Sequence, residues 1–182
     1  MQALFGVSGD NQCHNTNVCF TDSSFILGDG YAIQQWQWDF GDGQQLAYNN
    51  FTDSICHQYE QWGTYAVSLV ITAQAQGQTF TDTTMRMITV SAVPEAGFIT
   101  QQPCTEALTS FEDASLDNGV GITGWMWDFG DPLSVDDTSS LQNPAYTYSQ
   151  QGTYPVQLIV ENENGCTDTI MRDVEIHPNP EA

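Results

Sequence analysis

Apolar residues in this chain recur at every second position, in short bursts separated by clusters of Gly, Asn, Asp and Ser. Val18 and Phe20, then Trp36, Trp38 and Phe40, then Tyr65, Val67, Leu69 and Ile71 keep this period. Further along, Trp125, Trp127 and Phe129, then Tyr154, Val156, Leu158 and Val160, repeat it. A period of two belongs to a strand with one face on a core and the other in water. Helix signals are nearly absent, so the expected fold class is all-β. The paired Trp residues read as core. Two same-face Trp could instead bind sugar, but their equal placement in both halves favours packing.

The bursts are arranged as an internal repeat. Trp-Asp-Phe-Gly-Asp occurs at 38–42 and at 127–131, and each copy is followed 21 residues later by Gly-Thr-Tyr, at Gly63 and at Gly152. Val18–Ser24 answers Thr109–Ser115, and Thr81–Arg86 answers Thr167–Arg172. Two units of roughly 90 residues, each with about seven short strands, fit two tandem immunoglobulin-like β-sandwiches. The expected division is 1–92 and 93–182, at the linker Val93-Pro94-Glu95-Ala96. Pro-Glu-Ala recurs at the C-terminal end, so the chain is expected to be a piece of a longer array.

Charge narrows the partners. The formal net charge is −21, from 23 acidic residues against two basic ones, Arg86 and Arg172. Nucleic-acid binding needs clustered Lys or Arg, and adsorption to anionic lipid needs the same; neither is possible here. No apolar run approaches membrane-spanning length, so no membrane insertion is expected.

Five cysteines without a Cys-x-x-Cys motif suggest an oxidising extracellular or cell-surface setting. The register between copies makes Cys104–Cys166 the first expected disulfide. Cys19 and Cys56 share outward parity on different strands, so a second bridge there is possible, leaving Cys13 unpaired. Zinc held among Cys13, His14, Cys19, Cys56 and His57 is an alternative, although the spacing matches no usual zinc module.

The repeated motif reads as a strand running into a turn. Gly41 and Gly130 can take positive φ, and an Asp side chain can close a turn on backbone N–H groups. Trp38, Asp39 and Asp42, with Trp127, Asp128 and Asp131, are therefore expected to be structural. Arg86 and Arg172 have inward parity on the last strand of each unit. Each is expected to pair with an acid of the motif, Asp39 or Asp42 for Arg86 and Asp128 or Asp131 for Arg172.

Trp-Asp-Phe-Gly-Asp-Gly at 38–43, His57-x-Tyr59, and Gly63-Thr64-Tyr65 followed by Val67, Leu69 and Ile71 resemble the polycystic-kidney-disease (PKD) domain. The second unit is similar through Tyr146-x-Tyr148, Gly152-Thr153-Tyr154, Val156, Leu158 and Val160, with Pro132 where the family usually has Gly. Gly165-Cys166 with Cys104 resembles the form found in large secreted proteins of Bacteroidetes-type bacteria. The resemblance implies a spacer, adhesion or substrate-contact module of a surface or secreted protein. It also implies a possible calcium site on the loop between the second and third strands, at Asp29 and at Asp117-Asn118, although the ligand set is incomplete. No cofactor is required.

No catalytic signature is present, and no enzyme activity is expected. Exposed aromatics are the candidate contacts: Trp62, which the second unit replaces by Gln151, with Tyr48 and Phe51 in a polar loop. Two functions stay open. One is a non-catalytic stalk or adhesion module whose partners are neighbouring repeats and an extracellular protein or polysaccharide. The other is an ancillary substrate-binding module of a secreted polysaccharide- or protein-degrading enzyme.

Overall fold

The computed structural model describes residues 1–8, 12–27, 32–50, 53–75, 77–101 and 104–178. Among them there is no helix. The chain divides after Ser91, into Met1–Ser91 and Ala92–Ala182.

The first unit contains β1 (Phe5–Val7), β2 (Gln12–Cys13), β3 (Asn17–Asp22), β4 (Ile33–Asp39), β5 (Gln45–Tyr48), β6 (Ser54–Gln58), β7 (Gly63–Ala75) and β8 (Gln78–Ser91). One sheet runs β2-β8-β7-β4-β5 and the other β1-β3-β6. The second unit contains β9 (Phe98–Thr100), β10 (Leu108–Asp113), β11 (Ile122–Asp128), β12 (Thr138–Ser139), β13 (Ala145–Thr147), β14 (Gly152–Asn162) and β15 (Thr167–Ile176). Its sheets are β12-β11-β14-β15 and β13-β10-β9. Each unit is thus a two-sheet immunoglobulin-like sandwich.

The period of two explains the cores. Trp36 and Trp38 lie opposite Ile71 and Leu69; Trp125 and Trp127 lie opposite Val160 and Leu158. Trp38, Val67, Leu69 and Ile71 are fully buried, as are Trp127, Val156, Leu158 and Val160. Phe5 meets Trp38 edge-on at 5.0 Å, and Phe98 meets Trp127 in the same way at 5.3 Å. Each buried aliphatic or aromatic side chain contributes roughly 1.5–3 kcal/mol, which is enough for each unit to hold its own core.

The Thr-Asp-Thr-x-Met-Arg repeat clips the two sheets together at their open side. Asp82 Oδ2 accepts the Ala3 N–H at 2.7 Å, and Arg86 donates to the Phe5 carbonyl at 3.2 Å. In the second unit Asp168 accepts the Ala96 N–H at 2.7 Å, and Arg172 donates to the Phe98 carbonyl at 2.9 Å. The Arg172 guanidinium also lies 5.5 Å from the Phe98 ring centroid. Acid and base stand four residues apart on one strand, so both face the core side. They engage the exposed backbone of the opposing edge strand, whose groups have no ladder partner there.

This corrects the expected arginine pairing. Neither guanidinium bonds Asp39, Asp42, Asp128 or Asp131 among the described contacts. The reason is topological. β7 separates β8 from β4, and β14 separates β15 from β11. Asp39 and Asp128 face outward while the arginines face inward. The arginines remain solvent-exposed despite inward parity, because their strands form the rim of the sandwich.

The cysteines also need a correction. Cys19 and Cys56 are directly opposed on β3 and β6 and form a disulfide. Cys104, by contrast, is a free thiol, while Cys166 and Cys13 are both disulfide-bonded. Cys104 bridges to His177, just past the end of β15, whereas Cys166 precedes its start. A strand of that length spans roughly 30 Å, far beyond the roughly 7 Å that a disulfide allows between Cα atoms. Register between copies identified equivalent positions but not the strand end each one occupies.

The edge clip makes a stability prediction. Asp168→Ala and Arg172→Met should each lower the stability of the second unit by about 1 kcal/mol, the value of one net hydrogen bond. Chemical denaturation of the full chain measures this, and losses below roughly 0.3 kcal/mol would show that the clip contributes nothing.

Candidate functional site

The Trp-Asp-Phe-Gly-Asp segment is the best-defined constellation in each unit. Asp39 Oδ1 accepts the Gly41 N–H at 2.9 Å, and Asp128 Oδ1 accepts the Gly130 N–H at 2.8 Å. Asp42 closes the next turn on the Gln44 N–H, and Asp131 does so on the Leu133 N–H. Tyr59 donates to the Phe40 carbonyl at 3.0 Å, and Tyr148 to the Phe129 carbonyl at 2.9 Å. The turn after Phe129 is longer than that after Phe40. Phe129 N–H reaches Asp137, whereas Phe40 N–H reaches Gln44.

A second carboxylate supports each motif from below. Asp22 Oδ2 accepts the Trp36 indole N–H at 2.7 Å, and Asp113 Oδ2 accepts that of Trp125 at 2.8 Å. Their other oxygens cap Ser24 and Ser115. Sequence reasoning did not single these acids out. The available signal was their recurrence at matching positions, Asp22-x-Ser24 and Asp113-x-Ser115.

The two units fill one slot with different chemistry. His57 Nε2 and Asp42 Oδ2 are 2.6 Å apart, and the imidazole stacks on Phe40 at 4.0 Å. At the equivalent place Tyr146 donates to Asp131 Oδ2 at 3.0 Å and stacks on Phe129 at 4.6 Å. Both rings also meet the corner tyrosine edge-on. This carboxylate–ring pair fixes a turn; in the second unit Asp137 Oδ2 joins it by accepting the Asp131 N–H at 3.0 Å.

The remaining candidate residues separate clearly. Tyr48 is half-buried, stacks on Trp36 and accepts the Trp38 indole N–H at 3.2 Å. Burial raises its pKa, the Trp38 hydrogen bond opposes this, and the charge of Asp22 adds to it. It is a wall of the core rather than a free contact. Trp62 is 53% exposed, with its ring 5.5 Å from that of His14. Phe51 and Asp29 lie outside the described residues.

At the second unit's expected calcium position the donors are already engaged by the fold. Asp117 Oδ1 accepts the Gly119 N–H, while the Asn118 amide donates to the Val93 carbonyl. One carboxylate already engaged in its own turn does not make the six-to-eight-oxygen cage that calcium takes. Among the described residues no group of three or more His, Cys, Asp or Glu converges. The zinc alternative fails because Cys13, Cys19 and Cys56 are all in disulfides. An open groove of about 370 Å³ runs between β9 and β15, where His177 and Glu175 stand 3.8 Å apart. That pair is well exposed.

The site therefore defines a class: tandem immunoglobulin-like sandwiches in which the repeated polar residues build the fold. The sequence profile of the PKD domain matches residues 7–88 and 91–176, so the chain belongs to the PKD family. Collagenase ColQ1 of Bacillus cereus (strain Q1) is 37% identical over 60 residues, a stretch covering 33% of this chain and 6% of the collagenase. The chain thus matches only a small part of that relative's length. The PKD1 domain of Vibrio anguillarum Epp is 27% identical, covering 47% of this chain and 95% of that domain, with a TM-score of 0.42. The PKD1 domain from the Vibrio cholerae metalloprotease PrtV is 26% identical, covering 47% and 98%, with a TM-score of 0.41.

Two predictions follow from the carboxylates. Burial raises the Asp42 pKa, but hydrogen bonds from His57 and Gln44 and the charge of His57 outweigh it, so the net shift is downward. Burial likewise raises Asp113 and is outweighed by bonds from Ser115, Gln142 and Trp125. A carboxyl held lower in the folded chain stabilises the fold above its ordinary value of 3.8. That stability is lost as pH falls through the folded value. Melting temperatures should therefore drop below about pH 4, and less steeply in Asp42→Asn/Asp113→Asn. Separately, His57→Tyr should leave stability within about 0.5 kcal/mol, because it installs the second unit's arrangement. His57→Leu should cost about 1–2 kcal/mol by stranding Asp42, as read by denaturant titration.

Proposed function

We propose that this chain is a non-catalytic pair of extracellular PKD modules within a longer secreted or cell-surface protein. It spaces neighbouring domains and contacts an extracellular protein or polysaccharide. One observation carries the reading: the repeated polar residues of both units are engaged by the fold, while the exposed Trp62 has no counterpart in the second unit. Function is expected where two copies of a scaffold differ, not where they agree. The disulfides support an oxidising compartment, and no helix is long and apolar enough to cross a membrane. A formal net charge of −21 leaves the chain strongly anionic, which excludes a polyanionic partner.

A second reading is favoured by the relatives. Their names are a collagenase and a metalloprotease, which supports an ancillary substrate-binding module beside a degradative domain. In either case the chain itself performs no chemistry, and neither calcium nor another cofactor is needed for the contact.

The test is retention. The purified chain should bind an extracellular polymer, either a polysaccharide or a matrix protein such as gelatin, and Trp62→Ala should weaken that binding at least tenfold without changing the melting temperature. It should release no product from gelatin, casein or soluble glycans. Measurable hydrolysis, or full retention by Trp62→Ala, would count against the reading.

A further inference from the structure

The two sandwiches share a scaffold but not an outer face. In the first unit the solvent face of the β4-β7-β8 sheet carries Thr79, Thr81, Thr83 and Thr89 on β8, next to Thr72 and Thr64 on β7. The register sets Thr81 opposite Thr72 and Thr89 opposite Thr64. Gln35 and Gln37 extend the face across β4, opposite Thr72 and Val70. Its single acid, Asp39, is engaged by Gly41 and Gln45. The corresponding face of the second unit carries four acids: Asp128, Glu161, Asp173 and Glu175. The whole chain shows the same asymmetry, with eight of its 23 acids in Met1–Ser91 and fifteen in Ala92–Ala182.

Such a face is unusual in a chain of net charge −21, and it has a defined chemistry. Threonines at alternate positions stand roughly 6.5–7 Å apart along a strand, with neighbouring strands about 4.8 Å away. Each hydroxyl can donate and accept, and each glutamine amide does both. Between them, Met85 and Met87 add flexible apolar surface, both exposed. Trp62 stands one residue before β7, in phase with Thr64, at the end of the same face.

The geometry points to this face as the docking surface for a neutral polysaccharide, and the inference rests on the adhesion reading above. An uncharged hydroxyl-rich polymer matches a lattice of hydroxyls and amides, and its apolar C–H faces match Met85 and Met87. An anionic polysaccharide would meet the repulsion of the whole molecule, as would a second copy. A protein partner would require central Trp, Tyr or Arg anchors, and the sheet face has none.

Co-sedimentation of the full chain with microcrystalline cellulose, chitin and mannan, and with calcium-free alginate gel as the anionic comparator, tests this. Retention is expected on at least one neutral polymer and not on alginate. Thr81→Glu/Thr83→Glu, which adds two acids to the face, should weaken retention at least tenfold. Thr167→Glu/Thr169→Glu, the matching change in the second unit, should leave it unchanged. Melting temperatures confirm that all variants fold. If Trp62→Ala abolishes retention but Thr81→Glu/Thr83→Glu does not, the adhesion reading stands and this face is ruled out. Retention on gelatin with none on any neutral polysaccharide has the same consequence. A wild-type dimer that the double variant converts to a monomer would instead make the face a self-association surface and overturn the proposal.

Discussion

Each sandwich is organised around a backbone contact that admits no side chain. Gly41 turns at φ +81° with its Cα against Ala66, and a β-carbon there would lie 2.8 Å from that residue's backbone N and O. Gly130 turns at φ +65°, and a β-carbon would lie 2.7 Å from the Pro155 carbonyl. Only glycine meets both the dihedral and the distance. The close approach brings the end of β4 onto β7, and of β11 onto β14, so the tyrosine hydroxyl can reach the Phe40 or Phe129 carbonyl. With that corner locked, Trp38 and Trp127 are aimed at the middle of their cores. The neighbouring acids then have one geometry available, which is to cap the turn.

The rims obey a different constraint. A long edge strand exposes a row of unpaired backbone groups, and inward-pointing charges are one way proteins keep other chains from pairing with it. Asp82 with Arg86, and Asp168 with Arg172, sit on such strands and face the core side. They also satisfy backbone groups of the opposing sheet. This accounts for both basic residues of the chain. Each is placed where a long side chain can span from one sheet to the other, a reach that no residue of the central strands needs.

Against this shared frame the differences between the units acquire meaning. His57 and Tyr146 solve the same packing problem with a titratable and a non-ionised ring. The Cys19–Cys56 bridge, the exposed Trp62 and the uncharged threonine face all belong to the first unit. The scarcity of acids on one face is hard to explain by folding, because solvent-facing positions tolerate either chemistry. The second unit carries acids there and pairs its three equivalent strands in the same order.

Alternation and the doubled Trp-Asp-Phe-Gly-Asp motif were sufficient to read the all-β class, the tandem sandwiches and the buried Trp38 and Trp127. The reason is that a period of two assigns each side chain to a face, and a repeat tests each assignment twice. The same pattern says nothing of lateral strand order or of which strand ends meet. Arg86 could be placed on the inner face, but only the sheet order shows β7 between it and Asp39 and the Phe5 carbonyl within reach. Cys104 could be matched to Cys13, but only the fold sets it beside His177, a strand's length from Cys166. Tyr48 read as a loop aromatic until its stacking on Trp36 was visible. Local chemistry along the chain determined the strands, turns and faces. Tertiary structure alone decided the partners, because residues distant in sequence meet only once strand order and the crossing of the two sheets are set.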